Sequence, residues 1–220
     1  MRFDHGPLGY LSIAAHGHAD ALSLCLDLDG EPVLIDPGTY LYGSGGNWRS
    51  WFRSTPAHNT LNIAGQSQSV MSGPFNWSSK AKARLIERSE EPDWLWVAEH
   101  DGYEKRFGVR HRREVGHDSG AIRIVDRLIG RHTDVAEIVW QCAPDIEVEL
   151  TGNTAVCRRA GQVCLAIDLP QGTVSVTQGG PPSGGWASTR FGTKVPAVRI
   201  AWRGNVGATG VMTILRPFCR

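Results

Sequence analysis

The pentapeptide His16-Gly17-His18-Ala19-Asp20 puts two imidazoles and a carboxylate within five residues. In an extended backbone, positions two apart share a face, so His16, His18 and Asp20 would point the same way. A second carboxylate, Asp36, ends a later apolar run, and another imidazole, His58, opens the run Ala57-His58-Asn59-Thr60. Two imidazoles and a carboxylate gathered from loops at one end of a sheet suit a tetrahedral zinc with one open position. The plainer alternative is that a histidine near a strand end is only a hydrogen-bonded polar residue. His5, His100, His111, His117 and His132 take that reading. A rival chemistry is a two-histidine, one-carboxylate iron triad on a jelly roll, from His18, Asp20 and His58. An enzyme of that kind that uses 2-oxoglutarate wants an arginine soon after the distal histidine. None follows His58 until Arg84, so zinc is preferred.

The elements that would carry these groups have a period of two. In Ala21–Leu28, Leu22, Leu24, Leu26 and Leu28 share one face, as in a half-buried strand. Asp29-Gly30 is a favoured hairpin turn, and Val33-Leu34-Ile35 reads as the returning strand. An antiparallel return brings Asp36 back toward His18 and Asp20. Short strand-like runs recur at 60–63, 83–86, 94–98, 121–125, 135–140, 146–150, 163–167, 173–176, 198–202 and 211–215, separated by turn residues. No convincing helix interrupts them, although 134–141 could be misread as one. The expectation is an all-β protein, an antiparallel β-sandwich forming one domain over residues 1–220. The Gly/Pro-rich segment 178–185 is the best linker candidate. A boundary there would leave a remainder too short for a good core, so it is read as an internal loop.

Composition limits the function classes. The 220 residues include 23 basic and 22 acidic side chains, a net charge of +1 that gives no general attraction to nucleic acid or membrane. Hydrophobic residues make up 41%, enough for a real core. No apolar run reaches the roughly 18 residues of a membrane span. The opening MRFDHGPLGY lacks the apolar stretch of a signal peptide. Five cysteines with no CxxC pair argue against a disulfide framework and a thiolate metal knuckle. The basic run 105–113, KRFGVRHRR, reads as a glycan-attracting patch or, alternatively, a solvated strand face beside Glu99, Asp101 and Glu104.

Three segments, HGHADALSL (16–24), EPVLIDPGTYLYG (31–43) and WRSWFRSTPAHNTLNIAGQSQS (48–69), together resemble the C-terminal β-domain of heparinase II/III-type polysaccharide lyases, a group that includes oligoalginate lyases. HRREV (111–115) and IVDRLIG (124–130) also fit that sandwich. The resemblance is specific over about residues 8–77 and one of texture beyond. It implies that His18, Asp36 and His58 hold one Zn2+, with water as fourth ligand, and that His16 faces the substrate and helps in catalysis. Asp20 then orients His18, or is a simple turn acid.

Such lyases cleave uronic-acid polysaccharides by β-elimination. A base takes the C5 proton, an acid protonates the leaving O4, and the uronate carboxylate must be neutralised. The resemblance also implies an N-terminal α/α toroid, acting in cis or in trans, that supplies an Asn or His and a Tyr for acid–base work. These 220 residues hold no toroid, so the expectation is weak activity alone. A non-catalytic, zinc-containing glycan-binding accessory module is the other reading. Tyr40 and Tyr42 are candidate helpers, with loop packing as the alternative. Trp48 and Trp51 are candidates for lining a sugar cleft, with core burial as the alternative. Arg49 and Arg53 are candidates for a uronate carboxylate or sulfate. A lost toroid interface would leave Tyr40, Leu41, Trp48 and Trp51 unusually exposed. The implied partner is an anionic polysaccharide or oligosaccharide, and the implied location is periplasmic or extracellular.

Overall fold

A computed structural model describes residues 1–10, 12–43, 46–90, 93–131 and 135–218. His132 and Cys219 lie outside the described residues. The chain folds into antiparallel sheets. The largest has eight strands, in the order Ile146–Thr151, Thr154–Arg159, Gln162–Asp168, Val211–Pro217, Ala121–Gly130, Val109–Asp118, Leu95–His100 and Ala83–Ser89. A four-stranded sheet runs Thr173–Gln178, Val198–Gly204, Ala136–Gln141, Leu61–Ile63. A small sheet joins Arg2–Phe3, Leu24–Leu28 and Glu31–Leu34. One apolar cluster takes Leu24 and Leu34 from the small sheet, Ile138 and Trp202 from the four-stranded sheet, and Ile124 and Leu215 from the large one. Their shared burial is what makes the sheets a sandwich.

The hairpin forms as its sequence dictates. Asp29 and Gly30 both adopt positive φ, 52° and 81°, the conformation that a two-residue turn of this hand requires. The strand itself starts at Leu24 rather than Ala21. Leu22 is fully buried but sits at φ 63°, so the chain bends before it extends. Among the described residues, two short helices break the all-strand expectation. Asn47–Phe52 buries Arg49 and Phe52, and Glu104–Phe107 precedes a left-handed Gly108. The 134–141 stretch supplies the strand Ala136–Gln141, all six residues of it buried.

Alternation also resolves the basic run. On Val109–Asp118, Val109, His111, Arg113 and Val115 face the core, while Arg110 and Arg112 face outward and pair with Glu99. Arg113 is fully buried and lies directly across the ladder from Asp126. Its Nε and Nη2 donate to the two carboxylate oxygens at 2.8 and 3.0 Å. Its Nη1 donates to the carbonyls of Leu22 and Asn59, at 2.8 and 2.7 Å. His111 completes the cluster, its Nε2 lying 2.6 Å from Asp126 Oδ1. The solvated-face alternative therefore holds only for the outward half of the run.

Removing one partner of a buried pair strands the other's charge. Arg113→Ala should therefore cost about 3–5 kcal/mol in urea unfolding. Arg112→Ala, on the exposed side of the same strand, should cost under about 1 kcal/mol. Equal losses from the two would overturn this account of the core.

Candidate metal centre

His18, Asp20, Asp36 and His58 each offer one ligand atom, and the four atoms lie within 4.8 Å of one another. His18 Nδ1 is 3.2 Å from His58 Nε2, which is 3.4 Å from Asp36 Oδ2. Three separate segments deliver these groups. Gly17 N–H donates to Ala14 O, and Ala14 itself is at φ 50°, so the chain turns just before His18. Asp36 follows the hairpin's second strand, where Ile35 N–H donates to Gln141 O at 2.9 Å. His58 closes the 3-10 turn Thr55–Ala57.

Asn59 clips the three segments together. Its Nδ2 donates to Leu24 O at 2.8 Å and Ile35 O at 3.0 Å, while its Oδ1 accepts from Gln141 N–H. The Asp36 loop is also braced from outside. Ser188 N–H donates to Pro37 O at 2.7 Å, and a side chain on Gly38, at φ 83°, would collide with Ser188 O. That position requires glycine.

The protonation pattern leaves room for a cation. His58 Nδ1 lies 2.7 Å from Ser54 O, which can only accept, so Nδ1 carries a proton. His58 Nε2 then faces an imidazole nitrogen and a carboxylate oxygen, both natural acceptors. A proton or a metal ion must sit among them. Burial works to lower the His58 pKa, but the Asp36 hydrogen bond and the charges of Asp36 and Asp20 outweigh it and raise it to about 9. Burial and the neighbouring His58 charge push His18 down to about 3. Burial alone would raise Asp36, yet His58 holds it well below the usual carboxylate range. Burial lifts Asp20 to about 6. A neutral imidazole pair with two carboxylates would balance a divalent ion, so the donor set fits one.

Other expected residues sit elsewhere. His16 is exposed and outside the four-residue cluster, because the backbone turns at 15–17 instead of extending. Its ring meets Tyr42 edge-on at 5.2 Å and Phe75 at 6.1 Å. Tyr42 is thus the tyrosine beside His16. Tyr40 packs on Trp48 and Phe52 and faces the Lys194 ammonium, as in the loop-packing alternative. Trp48 belongs to that same packing, with Trp186 at 5.3 Å and Lys194 Nζ 4.1 Å from its ring. Trp51 lines a groove beside Glu137 and Arg199 and does not touch the metal cluster. Tyr40, Leu41, Trp48 and Trp51 are all partly buried, not unusually exposed.

Arg49 and Arg53 lie inside the fold rather than on an open surface. Both are buried, at 3% and 0% exposure. Arg53 donates to the carbonyls of Gly17, Gly73 and Pro74, and Arg49 to those of Pro74 and Ala15. Their guanidinium groups tie the 73–74 turn to the loop that carries His16 and His18. One nitrogen of each, Arg49 Nη1 and Arg53 Nη2, keeps no protein acceptor. Sequence reasoning missed Arg113, Asn59 and Phe191. The first was hidden in a run of charges and the second behind its neighbour His58. Phe191, 63% exposed, is placed 5.0 Å from Tyr42 only by a distant hairpin.

Residues 1–213 match the family described as Heparinase II/III-like, C-terminal. No curated protein matches the sequence. Among solved structures, the chain is similar to the heparan sulfate lyase HepC of Pedobacter heparinus, at 20% identity and a TM-score of 0.76. That match covers 99% of this chain and 33% of that one. A heparinase III structure aligns at 20% identity and TM-score 0.75, covering 94% of this chain and 31% of that one. The heparinase III BT4657 gene product aligns at 19% and 0.74, covering 98% and 32%. The chain therefore spans about a third of the length of the solved structures it matches.

The site makes a signed prediction. With chelator present, the His58 proton stabilises the fold fully below pH 6.5, and that contribution is lost as the pH rises toward about 9. A divalent ion bound there would replace that proton, so its affinity should climb across the same window with about one proton released per ion. Calorimetry in buffers of different ionisation enthalpy measures the proton count. Metal binding that is indifferent to pH between 6.5 and 9 would refute the shared position.

Proposed function

The chain belongs to the heparinase II/III-like C-terminal family, and from that premise we propose that it is the metal-binding β-domain of a lyase that cleaves uronic-acid glycans by β-elimination. The observation that carries the proposal is the convergence of His18, Asp36 and His58 from the three segments whose motifs resemble the family's. Zinc is the ion proposed, because two imidazoles and one or two carboxylates within a partly buried, four-donor cluster suit its tetrahedral preference. When bound, zinc supplies a fixed positive charge that ties the loops together and biases the local field. No water nucleophile is needed for elimination.

The residues around it then take parts that their placement supports. His16 is exposed and beside Tyr42, so its imidazole reaches a substrate and can neutralise the uronate carboxylate or move a proton. Tyr42 lies under Arg49, whose guanidinium carbon is 5.0 Å from the ring centre, so the ring is held beside His16. Arg49 and Arg53 hold the 14–18 loop in place, which fixes His16 relative to His18. Tyr40 and Trp48 are assigned to packing. The remaining acid–base groups are proposed to lie in a toroid corresponding to the other two thirds of the matched structures, joined in cis or supplied in trans. A periplasmic or extracellular site of action goes with a polysaccharide substrate. Among the described residues no helix is long and apolar enough to cross a membrane.

Elemental analysis of the purified chain should find near one equivalent of zinc, lost in His18→Ala together with thermal stability. Incubated alone with uronic-acid polymers, the chain should give little rise in the ultraviolet absorbance of unsaturated product. Missing general acid–base catalysis is worth about 10²–10⁴-fold. Adding the toroid should restore the rate, and His16→Ala in that assembly should remove most of it. Brisk turnover by the 220 residues alone would place the acid and base inside them, with Tyr42 the first residue to change. A zinc-loaded assembly that binds glycan but never cleaves it would favour the accessory-module reading.

A further inference from the structure

The outer face of the four-stranded sheet holds a groove of about 570 Å³, within the range of ligand sites. One wall carries Trp51, on the helix Asn47–Phe52. The other is the 178–185 loop, which is firmly built. Gly179 N–H donates to Gly185 O at 2.9 Å, and a side chain on Gly184 would collide with Gly179 O. None of His18, Asp20, Asp36 and His58 lines this groove.

Its floor has an unbalanced charge. Glu137 sits across the ladder from Arg203, and Arg199 across from Thr177. Glu137 Oε1 accepts from Arg203 Nε at 2.9 Å. Its Oε2 accepts from Asn62 Nδ2 and Arg199 Nη2, each at 2.9 Å. One carboxylate thus serves two guanidinium groups and leaves one net positive charge. Arg199 is 6% exposed, and its Nη2 also reaches Pro56 O at 3.3 Å, but its Nε has no acceptor. A buried donor without an acceptor is costly, so an acceptor from outside the chain fits here. The Arg203 side chain remains 63% exposed at the groove even though its Nε and Nη2 both reach Glu137 Oε1.

We propose that this groove is a second glycan subsite, which binds one acidic sugar residue away from the metal centre. The carboxylate or sulfate meets Arg203 and the Arg199 edge, Ser175 and Thr177 reach ring hydroxyls, and Trp51 offers an aromatic face to the pyranose. The inference rests on the uronic-acid reading for the class of its ligand only. A long anionic chain held at two places on one domain gains effective concentration at each.

The test is a ¹H–¹⁵N titration of the zinc-loaded chain with three hexasaccharides: heparan sulfate, mannuronate, and uncharged cellohexaose. The acidic probes should shift the Arg199 Nε–H and Trp51 indole N–H signals, and cellohexaose should not. Arg203→Ala and the gentler Arg203→Gln should each weaken that binding about tenfold, the loss of one charge-assisted hydrogen bond, with zinc content unchanged. Shifts confined to His16 and Tyr42 would overturn the subsite and leave the lyase reading standing. Shifts nowhere would overturn both. Equal binding of cellohexaose, or full affinity in both Arg203 variants, would reject the acidic subsite.

Discussion

Arg113 is the strut on which the site depends. It is the point where the large sheet grips the two loops that carry His18 and His58. Its guanidinium is wholly buried between Asp126 on the next strand and the carbonyls of Leu22 and Asn59. Four hydrogen bonds from three nitrogens fix the angle as well as the distance. Lysine would offer a point charge there, without the planar fork that matches a carboxylate on one side and two carbonyls on the other. Burial of the pair is expensive in itself, so its contribution is specificity of arrangement more than net stability. The Leu22 carbonyl lies two residues after Asp20, and that of Asn59 one residue after His58. A shift in Arg113 is therefore a shift in the cluster.

The loops also hold conformations that isolated chains disfavour. Ala14, Leu22 and Tyr40 all sit at positive φ, between 50° and 64°, and all lie within five residues of a ligand. For residues with a Cβ this carries strain, which persists only where surroundings over-determine the backbone. The surroundings here are identifiable. Trp77 Nε1 donates to Ala14 O at 3.0 Å, Leu22 is gripped by Arg113, and Tyr40 N–H donates to Ser188 Oγ at 3.0 Å. Each strained residue next to the cluster has its own brace from a different part of the chain. The cluster is thus preorganised from outside.

What the sequence made legible was the part governed by local rules. The alternation of Leu22 to Leu28 and the Asp29-Gly30 turn returned Asp36 to His18, because a two-residue turn allows few registers. Most strands of both main sheets followed from the same period; Thr154–Arg159 was not among them, and neither was a strand whose polar residues face the core. Val109–Asp118 is such a case, since Arg113 and His111 occupy inward positions that a pattern of hydrophobicity assigns to solvent. Where Arg49, Arg53 and Trp51 point was not legible for a related reason. They lie on one six-residue helix and the turn after it, and a helix so short leaves no periodicity to read. The direction of each side chain was set by carbonyls and a groove supplied from residues 15–17, 73–74 and 178–185, none of which the local sequence announces.

The same geometry suits the proposed ion to be a tie rather than an attacking group. His58 Nδ1 is committed to the Ser54 carbonyl, His18 Nε2 lies 3.4 Å from Thr39 Oγ1, and Asp36 Oδ1 accepts from Gly38 N–H at 2.7 Å. Each ligand is thus oriented from behind by a neighbour on its own or an adjoining loop. The exposed reactive side chain is His16, two residues from His18 on the other side of the Gly17 turn. A metal ion held at His18 would lie one short loop away from His16, and that loop is braced by Arg49 and Arg53. On the proposed chemistry, the domain's contribution is therefore a held imidazole and a field set beneath it, with both imposed by strands and struts that never touch the substrate.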